Sequence, residues 1–262
     1  MAASLIGGLI ADGFDAANLA VVDIDQSQLD HLKQRFHIHT YSDAATAVAD
    51  AEAVVLSVKP QVLQTVAESL ATAIQTKPAL VISVAAGVRS DDIERWLGGN
   101  VAVVRAMPNT PALVQCGASG LYANDKVSAH QREVAESIIR ATGLAVWVDD
   151  EDQMNMVTAL SGSGPAYFFR IMESLEAAAT NLGLPQKTAH LLTLQTALGA
   201  AKLAMESADD MKALREGVTS PGGTTEQGLK VMHEQDIDAL FEQVLKAAYQ
   251  RAQEWAQQLG GS

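Results

Sequence analysis

The chain has 262 residues, 48% of them hydrophobic, and carries 18 Lys+Arg against 31 Asp+Glu for a formal net charge of −13. That balance argues against a polyanion such as nucleic acid as a partner, and the lone Cys116 leaves neither a disulfide framework nor a cysteine-based zinc site. The length suits two domains in a reducing, cytoplasmic setting, with Cys116 expected as a structural thiol rather than a nucleophile.

The opening "MAASLIGGLIADG" reads as a helix already under way, with no strand to feed it. No basic residue precedes its apolar stretch, so it does not resemble an export signal, and the longest other apolar run, "PALVISVAAGV", is too short to span a membrane. Up to residue 150 two periodicities alternate. The runs Leu19–Val22, Ala53–Val58, Ala79–Val84, Val101–Met107 and Leu144–Val148 predict strands buried on both faces. Between most of them Ser27–Phe36, Gln61–Ile74, Ser90–Leu97 and Ser128–Thr142 predict helices, which implies right-handed crossovers and a mostly parallel sheet. "GASGLYA", Gly117–Ala123, predicts a further strand near an edge.

After Asp149 the pattern becomes helical throughout. Phe168, Ile171, Met172, Leu175, Ala178, Ala179 and Leu182 share one face, and Gly183 with Pro185 ends that helix and starts the next. Leu191, Leu194, Leu198, Ala201 and Met205 continue the stripe, and Ile237 to Leu259 repeat it in the last helix. So much apolar face on so few helices predicts a homodimer, against the alternative of a compact monomeric bundle. The fold class is therefore α/β, a doubly wound, mostly parallel sheet over residues 1–150, followed by an all-α domain over 151–262.

Five stretches could carry chemistry, and each has a plainer reading beside it. "SVKPQ", Ser57–Gln61, places Lys59 where a strand end meets a helix, in reach of a phosphate or ribose; Pro60 is equally a good first helical residue and Lys59 a solvated one. "VAAGV", Val84–Val88, leaves room for a flat ring, or for close packing of the next helix. In "RAMPNTPALV", Pro108 and Pro111 exclude regular structure and hold Asn109 and Thr110 as fixed donors and acceptors, or merely make a rigid turn. In "TSPGGTTEQG", Ser220-Pro221-Gly222-Gly223 has turn chemistry and Thr224 with Gln227 has the spacing of a capping box. Free N–H groups, hydroxyls and a helix dipole there make a carboxylate or phosphate receptor, or simply a cap. "SGSGPAY", Ser161–Tyr167, starts a long helix at Ser163 and Gly164, or admits a close neighbour. His37 and His39 share one face of a short strand without a carboxylate or cysteine spaced to complete a metal shell, so no metal is expected; Trp96 and Trp147 read as core or sheet-cover residues.

In this order "SVKP", "VAAGV", "RAMPNTPALV", "SGSGPAY" and "SPGGTT" resemble the pyrroline-5-carboxylate reductases, and the resemblance runs from Met1 to the last helix. It implies that the first domain is a Rossmann-type doubly wound parallel sheet, here without its first strand, that binds NADPH or NADH, that the second is a helical dimerisation domain, and that the reaction is reduction of 1-pyrroline-5-carboxylate to L-proline. It also implies an active site built across the dimer interface, and dimers assembled into rings. Residue by residue, it implies that Ser220, Gly223, Thr224 and Thr225 hold the substrate carboxylate, with the Thr225 hydroxyl assisting protonation of the ring nitrogen. Lys59 with Ser57, Val58 and Pro60, and the backbone of Ala85, Ala86 and Gly87, would contact the cofactor; Met107, Asn109 and Thr110 would border nicotinamide and substrate.

Relatives of this kind begin with a strand and a glycine-rich turn that this sequence lacks. Met1 is read as an internal methionine of a longer protein, against a truncation that impairs cofactor binding. Asp23 and Asp25 depart from the family's usual preference for NADPH: Asp23 suits adenine-ribose hydroxyls, so use of both cofactors is expected, though either acid also suits a turn. Two rivals stand beside this reading. One is a dimeric scaffold with a dead site; the other is a β-hydroxyacid dehydrogenase, which would want a catalytic lysine between Asp152 and Gln186, where the sequence has none.

Overall fold

The computed structural model describes residues 1–259; residues 260–262, the end of the expected second domain, lie outside the described residues. In chain order the elements are α1 (Ala2–Ala11), β1 (Ala20–Val22), α2 (Gln26–Phe36), β2 (His39–Tyr41), α3 (Ala44–Val48), β3 (Ala53–Leu56), α4 (Pro60–Thr76), β4 (Leu80–Ser83), α5 (Ser90–Trp96) and β5 (Val103–Met107). There follow β6 (Gly117–Ala123), α6 (Ala129–Arg140), β7 (Gly143–Trp147), α7 (Gln153–Val157), α8 (Gly164–Asn181), α9 (Gln186–Glu206), α10 (Met211–Gly217), α11 (Thr224–Glu234) and α12 (Ile237–Leu259). By its contacts the chain separates into residues 1–163 with 247–262, and residues 164–246.

In the first unit the strands form two sheets, β1-β2 and β3-β4-β5-β6-β7, parallel at every pairing except β5 with β6. Alternate residues of the larger sheet feed two cores. Val81 and Val103 face Leu63, Ala67, Leu70 and Ile74 of α4 together with Ile93 and Trp96 of α5. Leu80, Ile82, Val104, Ala106 and Leu121 face Leu5 of α1 and Ala135 and Ile139 of α6. Burial of both faces explains why the central strands read as continuous apolar runs. β1 and β3 lie in separate sheets and are not paired with each other.

Several local expectations need correction. Neither the Leu19–Val22 nor the Leu144–Val148 run is buried on both faces: β1 belongs to a two-stranded sheet and exposes Ala20 and Val22, and β7 ends the larger sheet, where Leu144 and Val146 are exposed. His37 is not in a strand; it closes α2 in the left-handed conformation at φ 57°, while His39 opens β2. Cys116 is a free, exposed thiol. Pro108 and Pro111 do not exclude regular structure either. Pro111 sits in the first turn of a 3-10 helix, Thr110–Val114, where its missing N–H costs nothing. Trp96 lies in the core as expected. Half-buried Trp147 covers the sheet, donating its indole N–H to Glu136 at 2.8 Å beneath the Arg132 guanidinium.

The helices begin where the sequence supplies caps. Asp25 accepts the Ser27 N–H at the start of α2, and Ser128 with Gln131 forms a reciprocal capping box at the start of α6. In the second unit α8 and α9 are separated by Gly183 at φ 102° and Pro185, as expected. Among the described residues no helix is long and apolar enough to cross a membrane.

Candidate active site

Three of the predicted stretches come together because they follow three neighbouring parallel strands. β3, β4 and β5 are adjacent and point the same way, so Ser57–Pro60, Val84–Gly87 and Pro108–Thr110 stand side by side beyond their carboxyl ends. In a doubly wound sheet that is where ligands lie. At the first, Lys59 is exposed, Pro60 is the first residue of α4, and Val58 packs on the core. The Ser57 hydroxyl is buried and has no hydrogen-bond partner among the described residues. A buried donor left unmet at a strand end fits a cofactor that brings a polar edge to it.

At the second stretch the Ala85 N–H donates to the Ser83 hydroxyl at 3.3 Å, and Gly87 turns at φ 78°. A Cβ on Gly87 would meet Leu259 Cδ1 at 3.2 Å and Trp255 Cβ at 3.4 Å, so the glycine serves the packing of α12 as well as the turn. The third stretch divides its two polar residues. Thr110 is exposed, whereas Asn109 is buried at 8% exposure with both ends of its amide hydrogen-bonded. Its Nδ2 donates to the Ser161 carbonyl at 3.0 Å, and its Oδ1 accepts the Ala118 N–H at 2.9 Å. Ser161 belongs to a π-helical turn, Thr158–Gly162, that joins α7 to α8. Gly162 lets the Met107 side chain approach; a Cβ there would stand 2.6 Å from Met107 Cε. The close-neighbour reading of "SGSG" is thus met by Met107 and Asn109. Asp23 follows β1, which lies in the other sheet, and its Oδ1 accepts the Asp25 N–H at 3.0 Å. The hydrogen bonds from the Ser27 hydroxyl and N–H hold the Asp25 carboxyl below its ordinary value, which marks Asp25 as a helix cap.

In the second unit the turn chemistry of Ser220-Pro221-Gly222-Gly223 is as expected. The Gly223 N–H donates to the Ser220 carbonyl at 2.9 Å, with Gly222 at φ 71° after Pro221. The capping box is not. The cap of α11 is Gly223, which has no side chain to offer, and Thr224 is already helical. A Cβ at Gly223 would lie 2.9 Å from the Ser220 carbonyl oxygen, so a residue with a capping side chain does not fit there. Glu226 instead reaches back, accepting the Gly222 N–H at 2.8 Å. The first intrahelical bond is Gln227 N–H to Gly223 carbonyl at 3.3 Å, so the amides of Thr224, Thr225 and Glu226 have no partner within the helix. Ser220, Thr224 and Thr225 are exposed beside them. The corner can receive an anion.

Sequence reasoning missed the ion pairs behind the first unit's site. Glu151, 5% exposed, accepts from Arg105 Nη1 at 2.9 Å and from the Ser90 N–H at 2.6 Å through one oxygen, and its other oxygen lies 3.3 Å from Arg89 Nη2. Arg89 Nη1 also donates to Asp152 at 2.6 Å. Burial pushes the Arg105 guanidinium down from its usual range while the Glu151 carboxylate pushes it back; Arg89 is raised, first by its bond to Asp152. Removing one member of such a buried pair costs about 3–5 kcal/mol. The signal was present: an arginine inside "VAVVRAM" is a charge in a core strand and requires a partner. Among the described residues no group of three or more metal-ligating side chains is assembled.

Comparison with known proteins places this geometry in a family. Residues 151–255 match the family model described as pyrroline-5-carboxylate reductase dimerisation, and residues 1–87 match one described as NADP oxidoreductase, coenzyme F420-dependent. A pyrroline-5-carboxylate reductase from Pseudomonas aeruginosa is 51% identical over 260 residues, covering 99% of this chain and 95% of the relative. The solved pyrroline-5-carboxylate reductase from Coxiella burnetii superposes with a TM-score of 0.95 at 47% identity, over 97% of this chain and 94% of the other. The Plasmodium falciparum enzyme, solved with NADP bound, shares the fold at a TM-score of 0.83 and 24% identity, over 97% and 94% of the two chains. This chain belongs to the pyrroline-5-carboxylate reductase family.

Proposed function

We propose that this chain reduces 1-pyrroline-5-carboxylate to L-proline with NADPH or NADH, and that the Ser220–Thr225 turn grips the substrate carboxylate. The observation that carries the assignment is that corner: amides without helical partners, two threonine hydroxyls and a helix start, all exposed, in a chain of this family. Reduction of a cyclic imine requires a hydride on the C=N carbon and a proton on the nitrogen. When bound, the nicotinamide supplies the hydride. The rest is positioning, so no covalent nucleophile is needed. Ser220, Gly223, Thr224 and Thr225 hold the carboxylate, and the Thr225 hydroxyl hydrogen-bonds the ring nitrogen as it gains its proton. Thr225 is the catalytic residue.

In the first unit Ser57, Val58, Lys59 and Pro60 with Ala85, Ala86 and Gly87 hold the cofactor, and the unmet Ser57 hydroxyl supports that role. Met107 borders the nicotinamide and Thr110 the substrate, while Asn109 acts on the substrate side through Ser161 and Ala118. Asp23 offers its carboxylate to ribose hydroxyls, which keeps NADH in use beside NADPH. Residues 1–150 form the cofactor domain and 151–262 the helical substrate and dimerisation domain, supported by the family match over 151–255. Two copies pair through the helical domain, where Phe168 at 64%, Leu182 at 90% and Leu198 at 62% exposure leave apolar surface to cover. Rings of such dimers and a cytoplasmic location complete the reading. Purified chain mixed with 1-pyrroline-5-carboxylate and NADPH, then NADH, tests it. Loss of reduced-nicotinamide absorbance matched by L-proline formation is expected, and no turnover with either cofactor overturns it.

A further inference from the structure

One buried carboxylate of the first unit ties the end of a turn to the middle of a strand. The turn Ala85–Arg89 runs into α5, whose first N–H, that of Ser90, has no side-chain cap from Arg89. Glu151 supplies that cap at 2.6 Å from 61 residues downstream, and the same oxygen takes Arg105 Nη1 at 2.9 Å. Arg105 stands two residues before Met107 on β5 and four before Asn109. A second tie follows on the same strand of chain: beyond Glu151, α7 leads to the π-helical turn whose Ser161 carbonyl takes Asn109 Nδ2 at 3.0 Å. Side chains of Arg105 and Glu151 are 7% and 5% exposed, so water does not loosen the pair. Arg105 Nε is buried without a partner among the described residues, so the guanidinium is held by one edge only and hydrophobic substitution removes an incompletely satisfied cation.

We infer that Glu151 is a positioning residue for the cofactor: its carboxylate clamps the Ala85–Ser90 turn to Arg105 in the middle of β5, two residues before Met107, and so fixes the backbones that face the nicotinamide. The inference rests on the reductase reading above. Glu151 touches neither substrate nor cofactor in this account and acts through Ser90, Arg89 and Arg105. A merely structural ion pair would be replaceable by apolar side chains at no cost to binding, whereas a clamp would not, because the Ser90 N–H and β5 lose their common tie.

The test is NADPH affinity by fluorescence titration beside thermal melting, on the full chain and on Arg105→Met/Glu151→Leu. The double variant is expected to melt within a few degrees of the parent and to bind NADPH about tenfold more weakly, with the KM for NADPH rising by a similar factor and the KM for 1-pyrroline-5-carboxylate changing less. Arg105→Lys, which keeps both charges but loses the planar fork, serves if the double variant does not fold; a roughly threefold loss of NADPH affinity is expected. Parent-like NADPH affinity in a folded variant overturns the clamp while leaving the reductase reading intact. A parent that neither binds NADPH nor reduces the substrate overturns that reading, and the clamp with it.

Discussion

Replacing Asn109 separates its internal bonds from its position near the site. Asn109→Ala removes two partly buried hydrogen bonds, Nδ2 to the Ser161 carbonyl at 3.0 Å and the Ala118 N–H to Oδ1 at 2.9 Å, and leaves both backbone partners unmet. At about 1–3 kcal/mol for each abandoned group, with water able to enter part of the space, the loss is about 3 kcal/mol. For a protein of this size that lowers the melting temperature by about 6–12 °C. Asn109→Asp is the sharper probe. Its Oδ1 still accepts from Ala118, but the second oxygen faces the Ser161 carbonyl and bonds only when protonated, which raises the folded-state pKa of the introduced carboxyl above its unfolded value of about 3.9. A group whose folded pKa is raised stabilises while protonated in both states and loses that contribution as pH rises through the folded value. The melting deficit of Asn109→Asp against the parent is therefore small near about pH 4 and grows toward about pH 7. Melting followed by circular dichroism across that range is the assay. A deficit that does not change with pH, or an Asn109→Ala variant that melts with the parent, refutes the two-bond account.

Thr225→Ala is expected to keep the fold, since Thr225 is exposed, and to lower kcat/KM for 1-pyrroline-5-carboxylate by about 100-fold, the scale of a lost catalytic proton contact; parent-like turnover would remove Thr225 from the mechanism. Glu226→Ala releases the Gly222 N–H bond of 2.8 Å and should raise the KM for substrate several-fold with little change in melting, as steady-state kinetics would show. Gly143→Ala tests the β6–β7 edge. Gly143 sits at φ 140°, and an added Cβ would meet the Gly117 carbonyl oxygen within backbone pairing distance, so destabilisation of about 3 kcal/mol or more is expected in urea melts.

The alternation of strand and helix was legible because buried parallel strands must be apolar on both sides, and β4 and, apart from Arg105, β5 obey that rule. The same rule failed at β7, where an edge position exposes Leu144 and Val146; sequence says how apolar a strand is and not which neighbours cover it. The turn at Ser220–Gly223 was legible from Pro and Gly chemistry, yet the capping box was not formed. Close approach of the Ser220 carbonyl makes Gly223 the cap, and the spacing of Thr224 and Gln227 carries no trace of that contact. Arg105 and Glu151 escaped for a related reason: the pair closes 46 residues of chain, and periodicity reports only on near neighbours. Asn109 was singled out by its flanking prolines, but its burial, and hence its role through Ser161, belongs to tertiary structure.

Crystals of the chain grown with L-proline and oxidised cofactor would put the grip on the substrate to the test. The account requires the product carboxylate within hydrogen-bond distance of the Thr224 and Thr225 amides, with the Thr225 hydroxyl on the ring nitrogen. Proline seated elsewhere, with the Ser220–Thr225 corner facing only solvent, would contradict it.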